Sequence, residues 1–308
     1  MPYEQYLNDI PNRPRTHFKY VTAETAKIIL VNRKLRWSSP LIFDDTYDVK
    51  RDFDFGFDIK EIKKPFVNEI KNLLSSKTVL DLSGDPDFSW LIKKLRKSDC
   101  TDVRDAILKE LPQLIDEGIQ VANNSYKEIQ KIWADFIPRF RIICFCPANN
   151  NLQMWENYGD SNQGAVFEFQ CVDDLGFWQI SQPVIYQDSP PLLATKEQWI
   201  QYATGQIRLE IDKPEFYNPY ILTKKTCWAY QEEWRVIDFS RDGETGLFTD
   251  SSFLPQELRA VYFGLNMPEE SVREMITLLN HTDFAHVQIF KGKNLEIEGS
   301  LFFERIER

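Results

Sequence analysis

Histidine is scarce in this sequence: three residues in 308 leave little room for imidazole chemistry. His281 and His286 stand five apart with no cysteine pair to complete a site, and none of the three histidines, His17 included, has a metal-ligand partner at useful spacing. The chain also lacks a Walker loop, Gly-x-Gly-x-x-Gly, His-Glu-x-x-His and Gly-x-Ser-x-Gly, so the usual signatures of nucleotide, zinc-protease and esterase chemistry are missing. A Cys–His or Ser–His hydrolase could use only His17, and His281 and His286 read as surface residues. Positive charge is short as well. Lysine and arginine number 37 against 47 aspartates and glutamates, a formal net charge of −10. That balance disfavours a general nucleic-acid surface, which needs concentrated positive charge, but leaves a local basic groove open.

Long apolar runs are absent too, and none approaches the roughly 18–20 residues of a membrane span. The opening Met-Pro-Tyr-Glu-Gln-Tyr has neither the basic flank nor the apolar centre of a signal peptide. Five cysteines, odd in number and scattered, do not make a disulfide framework. Cys144 and Cys146 stand two apart within Arg-Ile-Ile-Cys-Phe-Cys-Pro and read as part of a buried strand, with no second Cys/His pair to complete a zinc site. A cytoplasmic protein without a membrane partner is expected.

What the chain has in quantity is aromatic and apolar mass: 43% hydrophobic residues, 14% aromatics and 22 phenylalanines, enough for a sizeable core. Residues 1–16 read as a polar surface arm, followed by a strand from His17. Thr22 is placed to cap a helix whose stripe is Ala23, Ala26, Ile29 and Leu30. Leu35–Ser39 reads as a strand leading into the acid-rich turn of Asp44, Asp45 and Asp48. From about 59 to 136 the pattern turns helical, with Ile59, Ile62, Phe66, Ile70 and Leu73 at spacings of three and four. Ile107, Leu111, Leu114 and Ile115 repeat it, and Gly84–Asp87 breaks the region in two. Strands follow at 140–146, 164–170 and 182–186, with a short helix at 152–159 and another over 196–211. A strand–helix–strand unit closes the chain, its last strand placing Ala285, Val287 and Ile289 on one face. The expectation is an α+β fold: one domain over 1–308, a mixed or antiparallel central sheet with flanking helices, and a helical insertion at about 59–136.

The stretch Lys224–Ile237 draws attention because Gln231, Glu232 and Glu233 stand among Trp228, Tyr230 and Trp234. Read as extended strand, it turns Gln231 and Glu233 to one face, with Arg235 on the same side and Lys224 or Lys225 near. A carboxylate among aromatic rings loses hydration and can meet a cationic or sugar-like group. Two other clusters carry usable groups. One joins His17, Lys19 and Tyr20 to Trp37, Ser38 and Ser39; the other puts Trp155 and Tyr158 on one helix face. Ordinary packing accounts for each of them equally well, and a hydrogen-bonded turn accounts for the three aspartates better than a cation site.

In this order the motifs resemble the bacterial family catalogued as "domain of unknown function 2971". The matching stretches are His17–Tyr20, Trp37–Pro40, Phe43–Asp48, Cys144–Cys146, Met154–Tyr158, Gly164–Phe169 and Lys224–Arg235. The chain departs from the family pattern at Asp44 (usually Asn), Thr46 (usually Pro), Cys146 (usually Ser) and Gln231 (usually Glu). More distantly it resembles the ADP-ribosyltransferase fold, in which a late glutamate holds the nicotinamide-side ribose of NAD. That resemblance implies Glu233 as the catalytic carboxylate with Gln231 as its accessory, and His17 or Tyr20 at the adenosine ribose. It implies Trp155 or Tyr158 stacking on nicotinamide, with Ser38 and Arg235 completing the site. The implied activity is ADP-ribosyl transfer or NAD glycohydrolysis, as in a toxin or phage-defence effector. NAD would be the substrate, no metal would be needed, and the acceptor, protein or nucleic acid, stays open. Two other readings stand beside it. One is a non-catalytic module recognising a nucleotide or peptide in an aromatic pocket; the other is a Mg²⁺-dependent nuclease using Asp44, Asp45, Asp48 and Glu233.

Overall fold

The computed structural model describes residues 13–45, 47–54, 56–76, 86–97, 105–107, 109–110, 113, 127–172, 177–210, 213–294 and 301–308. The chain divides into two compact units. The first comprises Met1–Lys50, Ile137–Asp188 and Leu222–Arg308; the second comprises Arg51–Phe136 and Ser189–Ile221. The fold is α+β, with mixed and antiparallel sheets and flanking helices, as expected.

The first unit opens with β1 (Thr16–Val21), α1 (Ala23–Asn32) and β2 (Lys34–Ser38). Thr22 caps α1 by accepting a bond from the Thr25 amide, and Ala26, Ile29 and Leu30 are its buried stripe. The helix stops where Arg33 turns left-handed and donates its amide to Ile29 O at 2.7 Å. Then come β3 (Phe140–Phe145), α2 (Leu152–Asn157), β4 (Ala165–Gln170), β5 (Gln182–Pro183), β6 (Ile185–Tyr186), β7 (Thr223–Lys224) and β8 (Trp234–Phe239). The chain closes with β9 (Phe248–Ser252), β10 (Leu258–Phe263), α3 (Glu269–Leu279), β11 (Gln288–Asn294) and β12 (Leu301–Arg305).

These strands make two five-stranded sheets, ordered β1-β4-β10-β11-β12 and β5-β8-β3-β2-β9, with β6 and β7 as a separate parallel pair. Only β10 and β11 run parallel within the first sheet, joined through α3 as a strand–helix–strand unit requires. Ile143, Phe145 and Val236 of the second sheet meet Phe167, Phe169, Val261 and Phe263 of the first in one core, closed by α1 and α3. An isolated bridge stitches the sheets together: the Phe18 and Cys146 amides and carbonyls bond reciprocally, each at 2.9 Å. That stitch brings Lys19 and Tyr20 of β1 beside the end of β3.

Several expectations need correcting. Lys224–Ile237 is not one strand: a 3-10 helix over Thr226–Gln231 interrupts it, ending in left-handed Glu232 before β8 begins. Asp188, 38 positions earlier, anchors the start of that helix by accepting from the Thr226 amide and hydroxyl at 3.2 and 2.7 Å. The last expected strand starts late, at Gln288, because residues 282–284 form a 3-10 turn; Val287 and Ile289 are buried but Ala285 is exposed. The short helix expected over 152–159 covers Leu152–Asn157, and Gly159 beyond it is required by space, since a Cβ there would lie 2.7 Å from the Trp155 carbonyl and ring. The polar arm is also shorter than expected, since β1 already includes Thr16; its residues 1–12 lie outside the described residues, as does Thr46.

The second unit is helical among its described residues. Helices Lys63–Ser75 and Pro86–Lys97 pack through Ile70, Leu73, Leu74, Ile92 and Leu95. The expected break keeps its proline as the first helical residue, Pro86, where a missing amide hydrogen costs nothing; Gly84 and Asp85 lie outside the described residues. Leu111, Leu114 and Ile115 also lie outside them. The helix expected over 196–211 covers only Lys196–Ala203 and gives way at Gly205, whose φ is 73°. Phe53, Trp133, Tyr217 and Tyr220 form a compact aromatic cluster, with Phe53 stacked on Tyr217 at 5.3 Å.

Candidate functional site

A cavity of about 220 Å³ lies in the first unit, walled by Phe18, Phe43, Met154, Tyr158 and Trp228, with a charged floor. The floor is built around Arg235, which is fully buried on β8. Its Nη1 and Nη2 donate to the two carboxylate oxygens of Asp48 at 2.8 and 2.6 Å, a bidentate pair. Its Nε donates to Glu233 Oε1 at 2.6 Å. The expected Glu233–Arg235 pair is therefore present, although Glu233 precedes the strand instead of lying in it.

Glu233 is fixed from several directions. Its amide donates to the Tyr186 hydroxyl at 2.8 Å, and its carbonyl accepts from the Val184 amide at 2.9 Å. Lys224 Nζ donates to Glu233 Oε2 at 3.3 Å and to Gln231 Oε1 at 2.8 Å, and lies 5.0 Å from the centre of the Trp228 ring. Gln231 Nε2 in turn donates to the Tyr158 hydroxyl at 2.7 Å. Because that hydroxyl accepts, its own hydrogen is left to donate elsewhere. Left-handed Glu232 projects outward, so Gln231 and Glu233 share a side through a turn and not through strand alternation.

Burial works against a charge on Glu233, yet Arg235 and Lys224 overcome it and hold its pKa below the usual carboxylate range. Burial also opposes the charge of Arg235, but Glu233 and Asp48 raise its pKa well above the ordinary value. The thiols on the wall behave oppositely. Cys144 is pushed up to about 12 by burial and by Glu233, and Cys146 is raised further by the same causes, so neither is a ready nucleophile. Lys19 Nζ donates to Cys144 O at 3.0 Å.

The structure thus gathers Tyr20, Tyr158, Gln231, Glu233 and Arg235 around one cavity. Tyr158 is 36% exposed, whereas Trp155 is wholly buried with its indole N–H donated to Asn149 O at 2.7 Å. Of the two rings only that of Tyr158 is open to the cavity; Trp155, on the inner side of α2, belongs to the core. Tyr20 meets the cavity with its ring, its hydroxyl being engaged with Ala148 O and the Asn151 amide. Ser38 does not reach the cavity; it sits between Ile142 and Phe248 in the second sheet. His17 is buried on the opposite face of β1 against Phe145 and Trp178, where its Nε2 meets Ser181 Oγ at 2.9 Å. It lines a second cavity instead.

The three aspartates do not act as a set. Asp48 is consumed by Arg235, and Asp45 Oδ1 accepts from the Tyr47 amide at 2.8 Å, closing a turn. No group of three His, Cys, Asp or Glu among the described residues is arranged to hold a metal ion. Among the described residues, no helix is long and apolar enough to cross a membrane. No family model, curated protein or solved structure matches the chain.

Sequence reasoning overlooked Asp48 as the partner of Arg235 and left Lys224 and Lys225 undecided. The family-like Phe43–Asp48 turn was the one available signal for Asp48. Lys225 in fact lies over the Tyr47 ring at 3.4 Å, away from Glu233.

Proposed function

We propose that the cavity takes the nicotinamide-ribose end of NAD and that the protein cleaves the glycosidic bond there, as an ADP-ribosyltransferase or NAD glycohydrolase of the cytoplasm. The observation that carries this reading is the ionised, buried Glu233 beside Gln231 and a half-open Tyr158 ring. At about 220 Å³ the space is below the roughly 300–1,000 Å³ of sites for whole drug-sized ligands, which suits one ring and a sugar. In the reaction the carbon–nitrogen bond breaks and its electron pair leaves with nicotinamide, neutralising that ring. The oxocarbenium-like ribose left behind is stabilised by the fixed carboxylate until water or an acceptor hydroxyl adds and loses its proton. Tyr158 stacks on the departing ring, and Lys224 holds Gln231 and Glu233 in register. This assignment agrees with the ADP-ribosyltransferase-like resemblance of the motifs.

A second reading has its own support: recognition of the same nucleotide without turnover. Both Glu233 oxygens already accept from Arg235, and Oε2 also from Lys224, so the charge is largely compensated before a ligand arrives. Incubating the purified protein with NAD, with and without cell lysate, separates the two. Nicotinamide release by the wild type, lost in a folded Glu233→Gln variant, is the outcome expected of the enzyme. Saturable NAD binding with no release supports recognition, and a folded Glu233→Gln protein with undiminished release removes Glu233 from the chemistry.

A further inference from the structure

The second cavity, about 680 Å³, lies at the start of β1 and the end of β4 and is lined by Arg13, Arg15, His17, Gln170, Trp178 and Arg259 among others. Its charge is unlike that of the chain. Among the described residues, three arginines line it and no aspartate or glutamate does, in a protein whose net charge is −10. Arg13 Nε and Nη2 are buried and have no hydrogen-bond partner among the described residues. His17 is 1% exposed, and its Nδ1 is likewise buried without a partner among them. Buried donors in this state cost free energy unless something accepts from them. Burial and the nearby Arg13 lower the His17 pKa to about 4, so the ring is neutral near pH 7. Its Nε2 is engaged with Ser181 Oγ at 2.9 Å, which leaves Nδ1 as the ring atom that can meet a ligand from the cavity wall.

Arg259 arrives there through a local irregularity. The β10–β4 register shifts between Leu258 and Ala260, so Arg259 is an extra residue on its strand. Bulges of this kind re-aim a side chain. Among the described residues its acidic neighbour is Glu168, 3.4 Å away, which also accepts from the Tyr262 hydroxyl at 2.5 Å.

We propose that this cavity binds the phosphoryl group of a phosphorylated small molecule, with Arg13, Arg15 and Arg259 pairing with its oxygens and His17 and Gln170 completing the polar wall. Guanidinium forks match phosphate oxygens two at a time, and three of them suit a multiply charged anion better than a single carboxylate. The volume exceeds what a lone phosphate fills, and Trp178 offers an apolar wall for an organic body. The assignment does not rest on the NAD reading of the first cavity.

The test uses full-length protein, with inorganic pyrophosphate and ADP as probes in calorimetric titrations at matched ionic strength. The wild type should bind, and Arg13→Gln/Arg259→Gln should bind at least tenfold more weakly, while Arg36→Gln, which removes an exposed guanidinium outside both cavities, should bind as the wild type does. Arg15→Gln/Arg259→Gln, changing side chains that reach solvent, is the second variant in case loss of Arg13 disturbs folding. Pyrophosphate binding as tightly as ADP identifies free phosphate chemistry as sufficient; tighter ADP binding shows that the organic body is held as well. Binding unchanged in both double variants, or no binding of either probe, overturns the proposal. So does binding confined to a single-stranded oligonucleotide, which would make the patch a nucleic-acid surface.

Discussion

The two cavities of the first unit solve the same physical problem in opposite ways. In the first, Arg235 is sealed between Asp48 and Glu233, and Lys224 bridges Glu233 to Gln231. Each charge of that network has a partner, although Asp45 Oδ2 on the same cavity's wall is buried without one among the described residues. In the second, the described lining holds three arginines and no acid, only Arg259 having an acidic neighbour in Glu168 at 3.4 Å, and nitrogens of Arg13 and His17 have no partner among the described residues. A closed network fixes a geometry, and an open one leaves room for a ligand to supply what is missing. The first cavity is therefore a rigid frame around one polar edge, Gln231–Tyr158, while the second is a set of donors awaiting an anion.

The contrast can be broken most forcefully at Arg235. Arg235→Leu strands two buried carboxylates and should cost about 3–5 kcal/mol in denaturant unfolding. Neutralising Asp48 and Glu233 at the same time (Asp48→Asn, Glu233→Gln) should recover much of that loss. A cost below about 1 kcal/mol for Arg235→Leu would show that the network is not closed.

His17 gives the next effect, through pH. Its folded pKa, about 4, lies below the ordinary 6.5, so between those values the unfolded chain binds a proton that the folded one refuses. Stability should accordingly fall as pH drops from about 6.5 to about 4, by up to about 3 kcal/mol. His17→Gln should remove that slope in pH-dependent unfolding curves, and an unchanged slope would place its origin in other groups. Glu233 contributes in the same direction but at lower pH. Its pKa is depressed by Arg235 and Lys224 against burial, so its stabilisation is present above the unfolded carboxylate value and is lost as pH falls through the folded one.

A smaller change is expected at Tyr158. Tyr158→Phe removes the acceptor of the Gln231 bond and should cost about 1 kcal/mol or less, the ring being partly exposed. Gln231 Nε2 would then face the cavity unpaired, so any loss of NAD binding or nicotinamide release should exceed the loss of stability. Smallest of all, Arg259→Gln should alter unfolding by no more than about 0.5 kcal/mol, since Arg259 is itself half exposed and the buried Glu168 keeps its bond from the Tyr262 hydroxyl. The same variant weakening anion binding would sharpen the comparison: stability rests on the closed network, binding on the open one.

The sequence by itself determined whatever depends on near neighbours. Thr22 and the Ala26, Ile29, Leu30 stripe specify α1 within ten residues, and the apolar run Phe140–Phe145 specifies β3. The Glu233–Arg235 pair was legible for the same reason, because two residues of chain already hold the groups within reach. Even the failed reading of 224–237 as continuous strand kept Gln231 and Glu233 together, since a 3-10 turn with left-handed Glu232 reproduces the shared side by another route. What only the tertiary structure decided involves groups far apart in the chain. Asp48 meets Arg235 across 187 positions, and Arg259 joins Arg13 and His17 only because β10 and β1 flank β4. Trp155 and Tyr158, alike in the sequence, part at the surface of α2, one into the core and one to the cavity. Periodicity tells which side chains leave water together; it carries no record of which distant charge will be waiting there when they do, because that is set by how the sheets stack and where their strands are stitched.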